Sequence, residues 1–262
     1  MKSLNIASTG MLAQQLNVEV ISNNIANMNT TGFKRQRAEF QDLLYQSLER
    51  VGANSSDAGT IVPTGVQVGS GVKTGSVYRI IEQGNVISTG NPYDIAIQGR
   101  GFLRVQLPSG EQAYTRAGSL SISAEGQLVT PEGFLIGPGI SLPQEATDVT
   151  INKQGQVQAK IPGQVETQTV GQLELATFFN EAGLEAKGNN LFSETPSSGA
   201  AQVSTPGALG YGTVLQGFVE TSNVNPVSEI TSLITAQRAY EMNSKVISAS
   251  DEMLSTTSNL RR

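Results

Sequence analysis

The chain has no cysteine, no histidine and no tryptophan among its 262 residues. Without cysteine there is no thiolate nucleophile and no disulfide, and without histidine no imidazole base. The two absences together exclude a Cys/His zinc site. Catalysis of any kind would rest on Asp, Glu, Lys, Tyr or Ser, which an ordinary protein surface already supplies. Charge is also scarce, at 15% of residues against roughly 25% in a typical soluble domain. The formal balance of −5, with a pI near 4.9, argues against the basic face that nucleic acids or anionic membranes require. No apolar run reaches the 18 or so residues of a membrane span. The opening stretch MKSLNIASTGMLAQQL is interrupted by Asn5, Ser8, Thr9, Gln14 and Gln15. It offers no apolar h-region, so a cleaved secretory signal is not expected.

Glycine and proline are present but unevenly placed. Residues 1–32 contain only Gly10 and Gly32, and residues 222–262 contain no glycine and the single proline Pro226. Everything between is rich in both. Since these two residues punctuate helices and supply turns, the order helix, β body, helix follows. The fold class expected is α+β: paired N- and C-terminal coiled-coil helices and a central all-β domain, antiparallel and sandwich- or barrel-like. The corresponding divisions are residues 1–32 with 222–262, an extended bridging region at 33–75, and a β domain at 76–221.

The first segment carries a heptad. Leu4, Ala7, Met11, Val18, Ile21, Ile25 and Met28 fall on alternating spacings of three and four, which Gln14 alone interrupts. That pattern suits a coiled-coil seam. The opposite face is unusual, because Glu19 is the only charge between residues 3 and 33. A solvated helix normally carries ion pairs there, so this helix reads as one surrounded by protein. In the last segment Asn225-Pro226 gives a helix start with Glu229 in its first turn. Ile230, Leu233, Ile234, Tyr240, Ile247 and Leu254 then recur at helical spacing over roughly 50 Å of helix. These two sets are the expected assembly seam.

Within the middle, strand composition recurs at 77–81, 95–97, 102–107, 120–123, 127–130, 149–151, 156–160 and 173–179. Ala124-Glu125-Gly126 and Lys153-Gln154-Gly155 read as similar hairpin turns. Residues 49–75, almost uncharged after Asp57, read as extended chain.

Fragments suggestive of enzymes fail on spacing. Gly69-Ser70-Gly71-Val72-Lys73-Thr74 has Val72 where a phosphate loop needs Gly-Lys-Ser/Thr to be contiguous. Ser70-x-x-Lys73 and Lys73-Thr74-Gly75 would share one lysine where penicillin-binding enzymes use two. Gly99-Arg100-Gly101 lacks the third glycine of a dinucleotide fingerprint and precedes a strand, not a helix. Glu145, Asp148, Glu166 and Glu174 share no spacing, and Lys34-Arg35-Gln36-Arg37 with Glu39 and Asp42 reads as a solvated or interface charge cluster. The sequence therefore assigns no catalytic, cofactor-binding or metal-ligating residue.

Five stretches, in order, carry a resemblance. Asn24-Ile25-Ala26-Asn27 with Thr31-Gly32-Phe33-Lys34-Arg35 resembles the N-terminal signature of bacterial flagellar rod and hook proteins, the axial family. Leu233–Lys245, with Gln237, Arg238, Tyr240 and Asn243, resembles its C-terminal signature. Gly90–Phe102, Tyr114–Ser119 and Glu220–Asn225 are similar to its central stretches. Length and the stretch Pro63–Val72 resemble the distal rod branch most. The alternatives are a hook or proximal rod subunit, or an unrelated periplasmic β-domain protein.

The resemblance implies a structural subunit, not an enzyme, that self-assembles through its terminal helices into a rigid helical tube. Such a tube acts as a drive shaft, transmitting torque and conducting exported subunits. It further implies no cofactor, no nucleic acid and no small-molecule substrate. The implied partners are further copies of the chain, proximal rod proteins, hook protein, the surrounding basal-body rings and the flagellar export apparatus. The implied location is the basal body across the periplasm, reached by type III export without a cleaved signal peptide.

Overall fold

A computed structural model describes residues 2–48, 64–146, 148–163 and 166–259. Two helices bracket the chain: α1 at Lys2–Ala26 and α2 at Pro226–Asn259, with short strands between them. The expected α+β class is the observed one. The chain divides into two compact units. One comprises residues 1–25, 36–78 and 226–262; the other comprises 26–35 and 79–225.

In the first unit α1 and α2 are accompanied by short β pairs. The strand Gln36–Asp42 pairs with Val72–Arg79, and Tyr45–Ser47 pairs antiparallel with Gln67–Gly69. The described part of the stretch read as extended chain is thus extended because it is hydrogen-bonded as strand; residues 49–63 lie outside the described residues. Gly71 comes close to α1: a Cβ there would lie 2.3 Å from Thr9 Oγ1, and the Val72 amide donates to that hydroxyl.

The sequence places the end of the first helix at Gly32, but α1 ends at Ala26. The competing chemistry is local. Asn27 accepts from the Thr30 amide with its carbonyl and from the Thr30 hydroxyl with its side chain, forming a turn in place of a further helical one. Gly32 follows at φ +68°, where a Cβ would also meet the Arg116 and Ala117 backbone at 2.7 Å.

The second unit is built on a nine-stranded sheet in which Phe102–Gln106 lies centrally. It pairs antiparallel with Gln112–Thr115, Leu135–Ile136 and Leu175–Thr177. Asp148–Ile151, Gln156–Lys160 and Gln168–Gln172 form a separate antiparallel sheet. Apolar residues from both fill one core, with Leu103, Val105, Leu128, Val157, Leu173 and Leu175 fully buried. A second cluster stacks Phe102 edge-to-face on Phe178 and Phe192, each at 5.9 Å between centroids.

The two similar turns share one device. Ser123 Oγ accepts from the amides of Glu125 and Gln127, as Asn152 Oδ1 does from those of Gln154 and Gln156. Gly126 and Gly155, both at φ +77°, complete the reversals.

Candidate assembly site

The two helices run antiparallel, and three contacts set their register. Ser250 Oγ lies 3.4 Å from Ser3 Oγ, Asn243 packs on Gly10, and Asn24 Nδ2 donates to Glu229 Oε2 at 3.0 Å. From Ser3 to Gly10 is seven residues, matched by seven from Ser250 back to Asn243; the remaining interval to Asn24 and Glu229 is two more heptads on each helix. The same step brings Asn17 level with Ala236, which is 2% exposed. A seven-residue step of small and polar residues, distinct from the apolar heptad, therefore runs through the contact: Ser3, Gly10 and Asn24 meet Ser250, Asn243 and Glu229. Small side chains let the backbones approach: a Cβ on Gly10 would sit 2.8 Å from Asn243 Nδ2. Buried polar layers of this kind define partner and register at a cost in stability.

Asn24 is the most connected of these residues. Besides Glu229, its amide both donates to the Gln36 carbonyl and accepts from the Gln36 amide, at 2.8 Å each. One side chain thereby joins α1, α2 and the start of a strand.

The residues of the expected seam are distributed around this layer. On α1, Ala7 and Ile21 are buried, Leu4, Met11, Val18 and Ile25 are half-buried, and Met28, beyond the helix, is exposed. On α2, Leu233 and Ile247 are half-buried, whereas Ile230, Ile234, Tyr240 and Leu254 are exposed. Val227, Met242, Val246 and Met253 are exposed beside them. Ala13, Val20, Glu229, Ala236 and Ser250 are buried without having been picked out by a search for apolar periodicity. For Glu229, Ala236 and Ser250 the signal is the seven-residue spacing of small and polar residues on α2.

The motif residues fall in both units. Asn24, Gln237, Arg238, Tyr240 and Asn243 belong to the helical unit; Gln237 and Arg238 are exposed, and Asn243 is half-buried. Asn27, Thr31, Gly32 and Phe33 belong to the β unit, where the Thr31 carbonyl accepts from Asn190 Nδ2 and the Gly32 amide donates to the Glu220 carbonyl.

Lys34 departs from the solvated reading of its charge run. Its ammonium is buried 2.6 Å from Glu220 Oε1 and donates to the Glu82 carbonyl, while Arg116 Nε donates to Glu220 Oε2 at 2.8 Å. Arg37 and Glu39 of the same run stay exposed, 3.9 Å apart. Two cations on one carboxylate leave a surplus positive charge, which carbonyl oxygens meet: Arg116 also donates to those of Gly99 and Gly101. The Gly99-Arg100-Gly101 stretch is accordingly a β connection, with both glycines at positive φ. Burial pushes the Glu220 carboxyl up, but Arg116, Lys34 and the Gly84 amide outweigh it and hold the carboxyl below its ordinary range. Burial, reinforced by Arg116, lowers the Lys34 ammonium despite the attraction of Glu220.

Comparison with known proteins gives matches in all three parts of the chain. Residues 4–34 match the flagella basal body rod protein family, 96–159 the flagellar hook protein FlgE/F/G D1 domain, and 215–260 the flagellar basal body rod FlgEFG protein C-terminal region. The flagellar basal-body rod protein FlgG of Caulobacter vibrioides is 65% identical over 261 residues, covering 100% of both chains. That of Agrobacterium fabrum is 52% identical, covering 98% of each, and that of Bacillus subtilis 38%, covering 100% of each.

Proposed function

The chain belongs to the flagellar basal-body rod protein family, and on that premise we propose how it works as a structural subunit of the distal rod. The subunit self-assembles through its terminal helices into a rigid helical tube, a drive shaft that transmits torque and conducts exported subunits. It resides in the flagellar basal body. Its principal partner is a further copy of itself. Proximal rod proteins, hook protein, the surrounding rings and the export apparatus complete the set.

One observation carries this reading. The α1–α2 pair joins through small and polar layers, while Ile230, Ile234, Tyr240 and Val246 remain more than 40% exposed. Apolar area of this extent on one helix is costly in water and favours association. The near absence of charge on α1, where Lys2 and Glu19 are the only ionic residues, removes the desolvation penalty that would oppose enclosing it. A contact that joins unlike faces of successive copies does not close, and so propagates a helical filament. The exposed members of the seam, with Tyr240 at their centre, are the inter-subunit part; Ala7, Ile21, Leu233 and Ile247 serve the subunit's own helix pair.

The test places aspartate at the outer face. Ile230→Asp with Ile234→Asp should leave the far-ultraviolet circular dichroism of the purified chain unchanged. It should abolish rod formation in a strain lacking its own copy. Normal rods from that variant would remove the outer helix face from the assembly mechanism.

A further inference from the structure

Four separate stretches of the sequence meet at the buried carboxylate of Glu220. Lys34 reaches it from the segment that follows α1, Gly84 from a connecting loop and Arg116 from the end of a sheet strand. Glu220 itself is the last residue of a strand six residues before α2 begins. Around this centre the backbones are also joined. The Gly32 amide donates to the Glu220 carbonyl at 2.8 Å, and the Arg35 amide to Asn223 Oδ1 at 2.7 Å. Asn223 Nδ2 in turn donates to the carbonyls of Ile80 and Glu82.

We propose that Lys34 and Glu220, braced by Arg116, are positioning residues: they clamp the segment leaving α1 to the segment entering α2, so that both chain crossings are fixed on the β unit before the helices meet another subunit. The inference rests on the rod-subunit reading for its consequence, though not for its geometry.

Stability alone is a poor account of such a cluster. Lys34, Arg116 and Glu220 are each at most 3% exposed, and desolvating charges offsets most of what their attraction returns. Apolar side chains of similar volume would fill the space as well. They would not hold two particular segments in one alignment, because packing is indifferent to small slips, whereas a charge-assisted hydrogen bond is directional. The expected outcome of losing the clamp is a folded β unit whose two crossings are no longer aligned.

The experiment compares the full chain with Lys34→Met and Lys34→Arg. In Lys34→Met the Gly32 and Arg35 amides should exchange with solvent at least tenfold faster than in the unsubstituted chain. Those of Phe102–Gln106 should be unchanged, and the variant should not restore motility to a strain lacking its own copy. Lys34→Arg should recover both protection and motility. Exchange at Gly32 and Arg35 equal to the unsubstituted chain, or failure of Lys34→Arg to recover either property, overturns the clamp. Should Lys34→Met unfold the β unit, the triple variant Lys34→Met/Arg116→Met/Glu220→Met decides: folded and non-motile supports the clamp, folded and fully motile overturns it. The exchange arm tests the clamp without reference to assembly. Failure of the unsubstituted chain to restore motility would instead count against the rod reading.

Discussion

Asn24 and Glu229 lie 205 residues apart in sequence and share a hydrogen bond of 3.0 Å with each residue only 1% exposed. The pair closes the helical unit at one end, as Ser3 and Ser250 close it at the other. Between them polar and small residues alternate with a few apolar ones such as Ile21, Leu233 and Ile247, while Ile230, Ile234, Tyr240 and Val246 of α2 stay exposed.

Asn24→Ala removes three hydrogen bonds at once, two to Gln36 and one to Glu229. Buried bonds that involve a charged partner contribute about 1.5–3 kcal/mol each, and a partner left unpaired adds to the cost. The expected loss is about 3 kcal/mol in the helical unit, followed by ellipticity at 222 nm during urea unfolding. A double-mutant cycle with Glu229→Ala should give a coupling of at least about 1 kcal/mol. Additive effects would show that the contact is incidental.

Of the glycines at which backbones approach closely in the β unit, Gly118 has the least room. A Cβ on Gly118 would stand 1.5 Å from the Ile95 carbonyl oxygen, whose own residue accepts no rearrangement because Ile95 is 1% exposed and its amide donates to the Gly118 carbonyl. Gly118→Ala should therefore cost more than about 3 kcal/mol, the upper range for overpacking. Gly133, at φ +88° with open space around its Cβ position, is the control: alanine there costs only the left-handed strain of about 1–2 kcal/mol. Thermal unfolding of the two variants separates these mechanisms.

The buried ion cluster has a signature in acid. The folded-state carboxyl of Glu220 is held below its ordinary value of 4.5. The unfolded chain thus binds the extra proton between the two values, and stability rises with pH there. The contribution is present above about pH 4.5 and is lost as the pH falls through the folded-state value. Lys34 acts at the other end of the scale. Its folded-state value lies below 10.5, so in the window just below 10.5 the unfolded chain again holds more protons and stability rises with pH. The Lys34→Met/Arg116→Met/Glu220→Met variant should show a shallower decline below pH 4.5 in urea-unfolding midpoints. An unaltered acid limb would place the titrating group elsewhere.

Much of this was legible in the sequence. Glycine and proline placement marked both helices and the β body, since both residues act locally on φ and on amide donors. The turns at Gly126 and Gly155 were legible for the same reason. The inner layer of the helix pair was not, because apolar periodicity finds residues that avoid water, and Asn24, Glu229 and Ser250 are buried by partnership or by smallness. Lys34 was read as part of a solvated or interface charge cluster, and its burial went unseen because its partner Glu220 stands 186 residues away, a distance no local pattern encodes. Helix α1 stopped six residues early because Asn27 engaged Thr30, a side-chain competition that the heptad does not register.

The absence of cysteine gives the most direct test of assembly. Ile234→Cys introduces a single thiol at a site 45% exposed in the subunit. Its maleimide labelling rate is measured on the purified subunit and on isolated basal bodies that carry the same variant. Fast labelling of the subunit and at least a hundredfold slower labelling in the basal body is the predicted result, since the outer face of α2 becomes covered by a neighbouring copy. Equal rates in the two states would contradict the account.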